Sequence, residues 1–130
     1  MMLAPADCPF CSRIAAGDYA TRTGDVVAFP DLHPLTPGHT LVVPVRHVAR
    51  VLALSDEERR DLWELALETE RQLARGDADD FNLAVNDGPA AGQTVAHLHL
   101  HVIPRRAGDV EDPRGGVRWM IPERAVYWEE

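Results

Sequence analysis

The chain has 130 residues, of which 45% are apolar and 26% charged, enough for one compact domain with its own core and too short for two of ordinary size. Its net charge of −8, from 13 basic against 21 acidic residues, argues against a broad nucleic-acid surface, although a local cluster of donors can still hold a small phosphorylated ligand at short range. No apolar run reaches the length of a membrane span, and the opening MMLAPADCPF lacks the basic start and apolar stretch of a secretory leader, so a cytoplasmic protein with neither membrane nor nucleic-acid partners is expected.

The first element in chain order is the pair Cys8 and Cys11, the only cysteines, in the spacing CPFC. In a reducing compartment this spacing suits a metal half-site or a redox pair more than a structural disulfide; two free thiols packed near the surface are the bland alternative. Phe10 to Ala16 reads as a short helix stopped at Gly17. Two strands follow, Ala20 to Thr23 and then VVAF from Val26 to Phe29. Two prolines and a glycine make Asp31 to Gly38 a loop, which delivers the chain into HTLVVPV, a strand from His39 to about Val45. The strongest helix signal runs from Ser55 to Arg75. Ser55 and Glu58 have capping-box spacing, Leu62, Leu65, Thr69 and Leu73 form one stripe, and Gly76 supplies a stop. The Glu and Arg run on this helix reads as a solvated face. FNLAVN, from Phe81 to Asn86, alternates as a strand does. The loop DGPAAG, Asp87 to Gly92, then leads into VAHLHLHVIP, read as a strand from Val95 to Pro104. From about Ala107 the tail is irregular, with order returning only around Val117 to Ile121. Strands joined by loops with one long helix inserted predict an α+β domain spanning residues 1–130: an antiparallel sheet of about five strands, one long helix and a short N-terminal helix.

The histidine run carries the chemistry. His97, His99 and His101 alternate with Leu98, Leu100 and Val102, so in a strand the imidazoles share one face, roughly 6.5 to 7 Å apart, and the apolar residues share the other. Burying several titratable rings is costly without partners, so this face is expected to point into a site. The spacing alone leaves two options open: imidazoles as metal ligands, or one imidazole as a nucleophile with its neighbours as proton donors and phosphate contacts. The preceding loop favours an anion, because Gly88 and Gly92 permit close backbone approach and Gln93 and Thr94 add neutral donors.

NDGPAAGQTVAHLHLHVIPR resembles the signature of the histidine triad superfamily, and FPDLHPLTPGHTLVVPVRH resembles that family's other nucleotide-binding segment; the likeness covers roughly Cys8 to Arg106. The resemblance implies a nucleotide hydrolase or transferase acting at an α-phosphorus of a purine nucleotide or dinucleotide. It makes His99 the nucleophile of a nucleotidyl-histidine intermediate, gives His101 the phosphate and the leaving group, and has His39 support that pair. It implies Asp31 as the ribose contact, Phe10, Ile14, Phe29 and Leu32 as the base pocket, and Asn86, Gln93 and Thr94 as residues that hold the phosphates. By the same likeness Cys8, Cys11, His47 and His97 form a zinc set; two sulfurs and two imidazoles would make it structural, not catalytic. The family's habit of forming homodimers, with tail residues reaching the partner's site, offers a role for Trp119 and Trp128, beside plain core packing.

DGPAAGQT and HVIPRRAGD are similar to the fragile histidine triad branch, which cleaves diadenosine polyphosphates; that branch, however, carries glutamine where Asn86 stands and lacks the CxxC. Asn86 and Asp31 are more similar to the nucleoside phosphoramidase branch. Two readings of other classes stay in view: a regulatory nucleotide-binding module with vestigial activity, and a metal-storage or metal-sensing protein. His33 is read as a solvated loop residue.

Overall fold

The computed structural model describes residues 7–129; the opening MMLAPA, on which the expectation of no secretory leader largely rests, lies outside the described residues. The elements are α1 (Pro9–Ala15), β1 (Thr21–Thr23), β2 (Val26–Pro30), β3 (Thr40–Pro44), α2 (Asp56–Leu73), β4 (Asp80–Val85) and β5 (Leu100–Arg105). The five strands form one antiparallel sheet in the order β1-β2-β3-β5-β4. The last strand thus inserts between β3 and β4, where His101 faces Leu41 on one side and Ala84 on the other. An α+β domain with a long and a short helix is what the sequence predicts. None of the described helices is long and apolar enough to cross a membrane.

The two faces of the sheet bury different sets, as the period of two requires. Val26, Ala28, Val42, Leu98, Leu100 and Val102 pack with Leu62, Leu65 and Ala66 of α2. Val27, Phe29, Leu41 and Val43 pack on the other side with Cys8 and Phe10 of the N-terminal turn and α1. This double cover explains why Val26 to Phe29 are all buried.

Helix α2 begins as its sequence dictates. The Ser55 hydroxyl accepts from the Glu58 amide at 3.0 Å, and the Glu58 carboxylate accepts from the Ser55 amide at 2.8 Å. Leu62, Leu65 and Thr69 are buried and Leu73 packs half-buried beside them. Glu58 departs from the solvated-face reading: it is only 6% exposed and pairs with Arg46 at 2.7 and 3.1 Å. Arg46 holds this carboxyl below its ordinary range, against the opposing effect of burial.

The histidine stretch also departs from expectation, because the ladder of β5 starts at Leu100 and His97 to His99 precede it. Pro44, in the neighbouring strand, has no N–H to donate, and its carbonyl is taken at 2.8 Å by His97 Nε2. The segment stays extended by another bond, from the Leu98 amide to the Val48 carbonyl at 2.7 Å. Alternation of faces survives without the ladder: Leu98 and Leu100 are fully buried in the α2 core while the three imidazoles lie on the α1 side.

Short 3₁₀ turns at Gly116–Met120 and Pro122–Arg124 give the tail more order than its sequence suggests. Trp119 donates to the Arg114 carbonyl at 2.9 Å, and the Arg114 guanidinium lies 4.9 Å from the centre of the Trp128 ring. Val117, Trp119, Met120 and Ile121 remain exposed.

Candidate active site and metal cluster

The backbone assigns a proton to each imidazole in turn. His99 Nδ1 stands 2.8 Å from the His97 carbonyl, which can only accept, so Nδ1 carries the hydrogen and Nε2 keeps its lone pair. His39 Nδ1 accepts from the Leu35 amide at 3.0 Å, so neutral His39 carries its hydrogen on Nε2. That Nε2–H donates to His101 Nδ1 at 2.9 Å, which places the His101 hydrogen on Nε2. Asp31 Oδ2 lies 3.4 Å from His39 Nε2, and Asp31 Oδ1 accepts from the His33 amide at 2.8 Å. The result is a relay from the Leu35 amide through His39 to His101, beside a His99 ring oriented by the main chain. Ring centres of His99 and His101 are 5.1 Å apart.

Burial sets the charge of these rings. It is the largest influence on His101, which is pushed down to about 4 with help from His99 and His39 and against the pull of Asp31. His39 is lowered by the same desolvation, opposed by the Asp31 carboxylate. Both therefore hold the neutral forms that the relay requires.

Asp31, His39 and His101 could be mistaken for a metal site, since their donor atoms lie within 4.8 Å of one another. Coordination would need the His39 Nε2 lone pair and so would move its hydrogen to Nδ1, against the Leu35 N–H. Two donors would then oppose each other. The chemistry of the set is that of a hydrogen-bond relay.

A cavity of about 350 Å³ opens over these rings, lined by Phe10, Asp31, Leu32, Thr94, His99 and His101 among the residues the sequence singles out. Pro9, Arg13, His33, Leu41 and Val95 also line it. Phe10 lies edge-on to His99 at 5.0 Å. Of the remaining expected base-pocket residues, Phe29 is fully buried beneath Phe10, at 5.6 Å, and Ile14 packs into the same cluster. A second concavity, of about 380 Å³, is lined by Arg50, Leu52, Ala53 and Asp87; its one ion pair, Arg50 with Asp87, is already satisfied at 3.1 Å.

The glycine loop is braced by Gln93. Its Oε1 accepts from the Gly88 amide at 2.8 Å, and its Nε2 donates to the Ala49 and Val95 carbonyls, each at 3.0 Å. Every hydrogen of that amide is used, so the side chain shapes the loop. Gly88 and Gly92 adopt φ of +108° and +98°, which only glycine enters without strain, and Asn86 Nδ2 lies against Gly92. Gln93 as a brace, the Leu35 amide and Arg13 all escape the sequence reading. For Arg13 the available signal is its position three residues after Phe10, on the same helical face.

Cys8, Cys11, His47 and His97 converge on the far side of His97. The Cys8 and Cys11 sulfurs are both 3.5 Å from His97 Nδ1, Cys11 Sγ is 3.3 Å from His47 Nδ1, and the two Nδ1 atoms are 3.2 Å apart. A tetrahedral ion with ordinary zinc bond lengths needs edges of about 3.6 Å between sulfur and nitrogen and about 3.3 Å between nitrogens. The set fits such an ion closely. His97 donates from Nε2 to the Pro44 carbonyl, which leaves the Nδ1 lone pair for a metal and fixes the ring. Burial first, and then the adjacent Cys8 sulfur, push the Cys11 thiol up to about 11; a dication between the sulfurs removes that penalty. The four residues can hold a metal, and they hold no place in the cavity.

Imidazoles presented where the chain enters an antiparallel sheet of five strands between β3 and β4, beside a glycine loop, define a class of α+β protein that the sequence motif already resembles. The family model described as HIT domain matches residues 17–108, and the chain belongs to that family. It is 40% identical over 109 residues to the bifunctional bis(5'-adenosyl)-triphosphatase/adenylylsulfatase of Arabidopsis thaliana, a match covering 78% of this chain and 61% of that protein. A HIT-like protein of Mycobacterium tuberculosis is 42% identical over 106 residues, covering 78% of this chain and 74% of its own length. Among solved structures, a zinc-bound histidine triad family protein from Mycobacterium smegmatis superposes with a TM-score of 0.73 at 36% identity, covering 82% of this chain and 80% of that one.

Proposed function

We propose that the chain is a nucleotide hydrolase or transferase that cleaves a phosphoric anhydride at the α-phosphorus of an adenine or other purine nucleotide, as in a diadenosine polyphosphate. The observation that carries this reading is the His99 ring: its Nδ1–H is held by the His97 carbonyl, so a neutral Nε2 is available for attack beside the cavity. Attack by Nε2 forms a nitrogen–phosphorus bond and breaks the bond from phosphorus to the leaving oxygen. His101 Nε2–H donates a hydrogen bond to that oxygen, which departs as a phosphate anion. Water then attacks phosphorus, the bond to His99 breaks and its electron pair returns to Nε2, and the water proton is released with the nucleotide product, while His101 stays neutral with its Nδ1 tied to His39.

Asp31 takes the ribose hydroxyls, Phe10 and Leu32 cover the base with Phe29 and Ile14 behind, and Thr94 and Asn86 attend the phosphates. Gln93 contributes by holding the loop in shape. Cys8, Cys11, His47 and His97 bind a structural zinc; the zinc-bound Mycobacterium smegmatis neighbour and the fit of the donor edges support this. Its chemistry is to cross-link the N-terminal turn to the histidine segment. Thiolate ligands suit a reducing, cytoplasmic compartment. The exposed Val117, Trp119, Met120 and Ile121 support a homodimer through the tail, which a monomeric mass by light scattering would exclude.

The test is AMP release from a panel of diadenosine polyphosphates, adenosine phosphoramidates and adenylyl sulfate. The expected result is turnover of a polyphosphate that His99→Ala abolishes while AMP binding persists. The phosphoramidase alternative is favoured if only the phosphoramidates turn over. AMP binding with no turnover would leave a regulatory module, and wild-type turnover by His99→Ala would end the proposed mechanism.

A further inference from the structure

Arg13 is the one arginine that lines the cavity among the described residues. Its guanidinium lies over the Phe29 ring, 4.0 Å from the ring centre, and its side chain is 15% exposed. Nε–H donates to Asp18 Oδ2 at 3.1 Å, and one Nη1–H donates to the Pro30 carbonyl at 3.0 Å. A guanidinium has five N–H groups, so three stay without a partner among the described residues. They belong to a planar fork held in place by a carboxylate, a carbonyl and an aromatic ring, which is unlike a mobile surface arginine.

Its position along the cavity limits what it can meet. The Phe10 ring is 5.0 Å from His99 and 5.6 Å from Phe29, so Phe10 stands between the nucleophile and the ring that carries Arg13. With phosphorus at His99 and ribose at Asp31, the space beside Arg13 falls to the base. We propose that Arg13 reads the edge of the base, and that the cavity prefers a 6-oxopurine, guanine or hypoxanthine, to adenine. The inference rests on the nucleotide reading of the cavity given above.

Complementarity of donors gives the direction. Guanine and hypoxanthine present two acceptors side by side, O6 and N7, which match two N–H groups of one fork. Adenine presents N7 beside the N6 amino group, a donor, so the same fork would set donor against donor in a partly desolvated site. A well-formed pair of this kind is worth on the order of tenfold in discrimination.

The experiment is calorimetric titration of the metal-loaded protein with AMP, GMP and IMP, with kcat/KM for adenosine and guanosine forms of one dinucleoside polyphosphate as a second readout. GMP and IMP are expected to bind on the order of tenfold more tightly than AMP. IMP isolates the O6 and N7 edge, because it lacks the 2-amino group of guanine. Arg13→Met and Arg13→Lys should bring the three ligands together, the lysine variant showing that the fork matters beyond its charge. Equal or tighter binding of AMP by the wild-type protein overturns the proposal, whatever the fate of the variants. A parallel loss for all three ligands in the variants, with the ratio kept, assigns Arg13 a structural role and overturns it as well. So does a loss confined to di- and triphosphates, which would make Arg13 a phosphate contact. If none of the three ligands binds, the nucleotide reading itself falls.

Discussion

Replacing Gln93 by alanine removes three hydrogen bonds at once, from the Gly88 amide at 2.8 Å and to the Ala49 and Val95 carbonyls at 3.0 Å each. A typical bond of this type contributes about 0.5–1.5 kcal/mol net, and Gln93 is half-buried, so water can partly replace it. The brace is therefore worth about 2 kcal/mol to the closed loop, or about 30-fold in the population of its competent form. The expected result is a fall of that order in kcat/KM for AMP release. Hydrogen exchange in nucleotide-free protein should quicken at Ala91 and Gly92, whose amides bond the Gly88 and Pro89 carbonyls within the same turn. Gln93→Glu should do no better than alanine, because its carboxylate would face two carbonyls. Unchanged exchange at Ala91 and Gly92, together with weakened AMP binding, would refute the reasoning and make Gln93 a direct phosphate ligand.

The metal cluster predicts about one zinc per chain in protein purified without chelator, and chelation should lower the thermal midpoint by at least about 10 °C, given the several kcal/mol that structural sites contribute; a content far below one would count against the site. Acid should destabilise the fold earlier than its carboxylates alone require. Burial pushes His101 down to about 4 from an ordinary value near 6.5. Between those values the unfolded chain binds protons that the folded chain refuses, so stability is full above about pH 6.5 and falls as pH drops toward 4. Urea midpoints at pH 7.5 and pH 5 should show the lower value at pH 5, with a smaller difference in His101→Asn; identical midpoints would contradict it.

Local rules made most of the architecture legible. The Ser55 and Glu58 pair marks the start of α2 because both capping bonds depend on residues three apart. Strand alternation placed the histidines on one face even where the ladder is missing. The onset of β5 was not legible, since it depends on Pro44, some fifty positions earlier, which withholds a donor and gives its carbonyl to His97. Glu58 reads as a surface charge until Arg46 closes over it. The gathering of Cys8, Cys11, His47 and His97 came from family likeness, since pairs so distant in sequence leave no local trace. The loop-bracing bonds of Gln93 and the contact of Arg13 with the Pro30 carbonyl were not legible for a shared reason: the partners are main-chain carbonyls and amides, and the sequence does not announce where those lie.

The link between the Cys and His cluster and the His99 ring has a consequence for how freely the two can be varied. His99 is oriented by the carbonyl of residue 97, not by its imidazole. The carbonyl is common to every amino acid, so the cluster and the proposed nucleophile are chemically separable. A redesign that fills the space of Cys8, Cys11, His47 and His97 with well-packed apolar side chains, keeping the Leu98 amide on the Val48 carbonyl, should preserve the His99 tautomer in a protein with no need of metal.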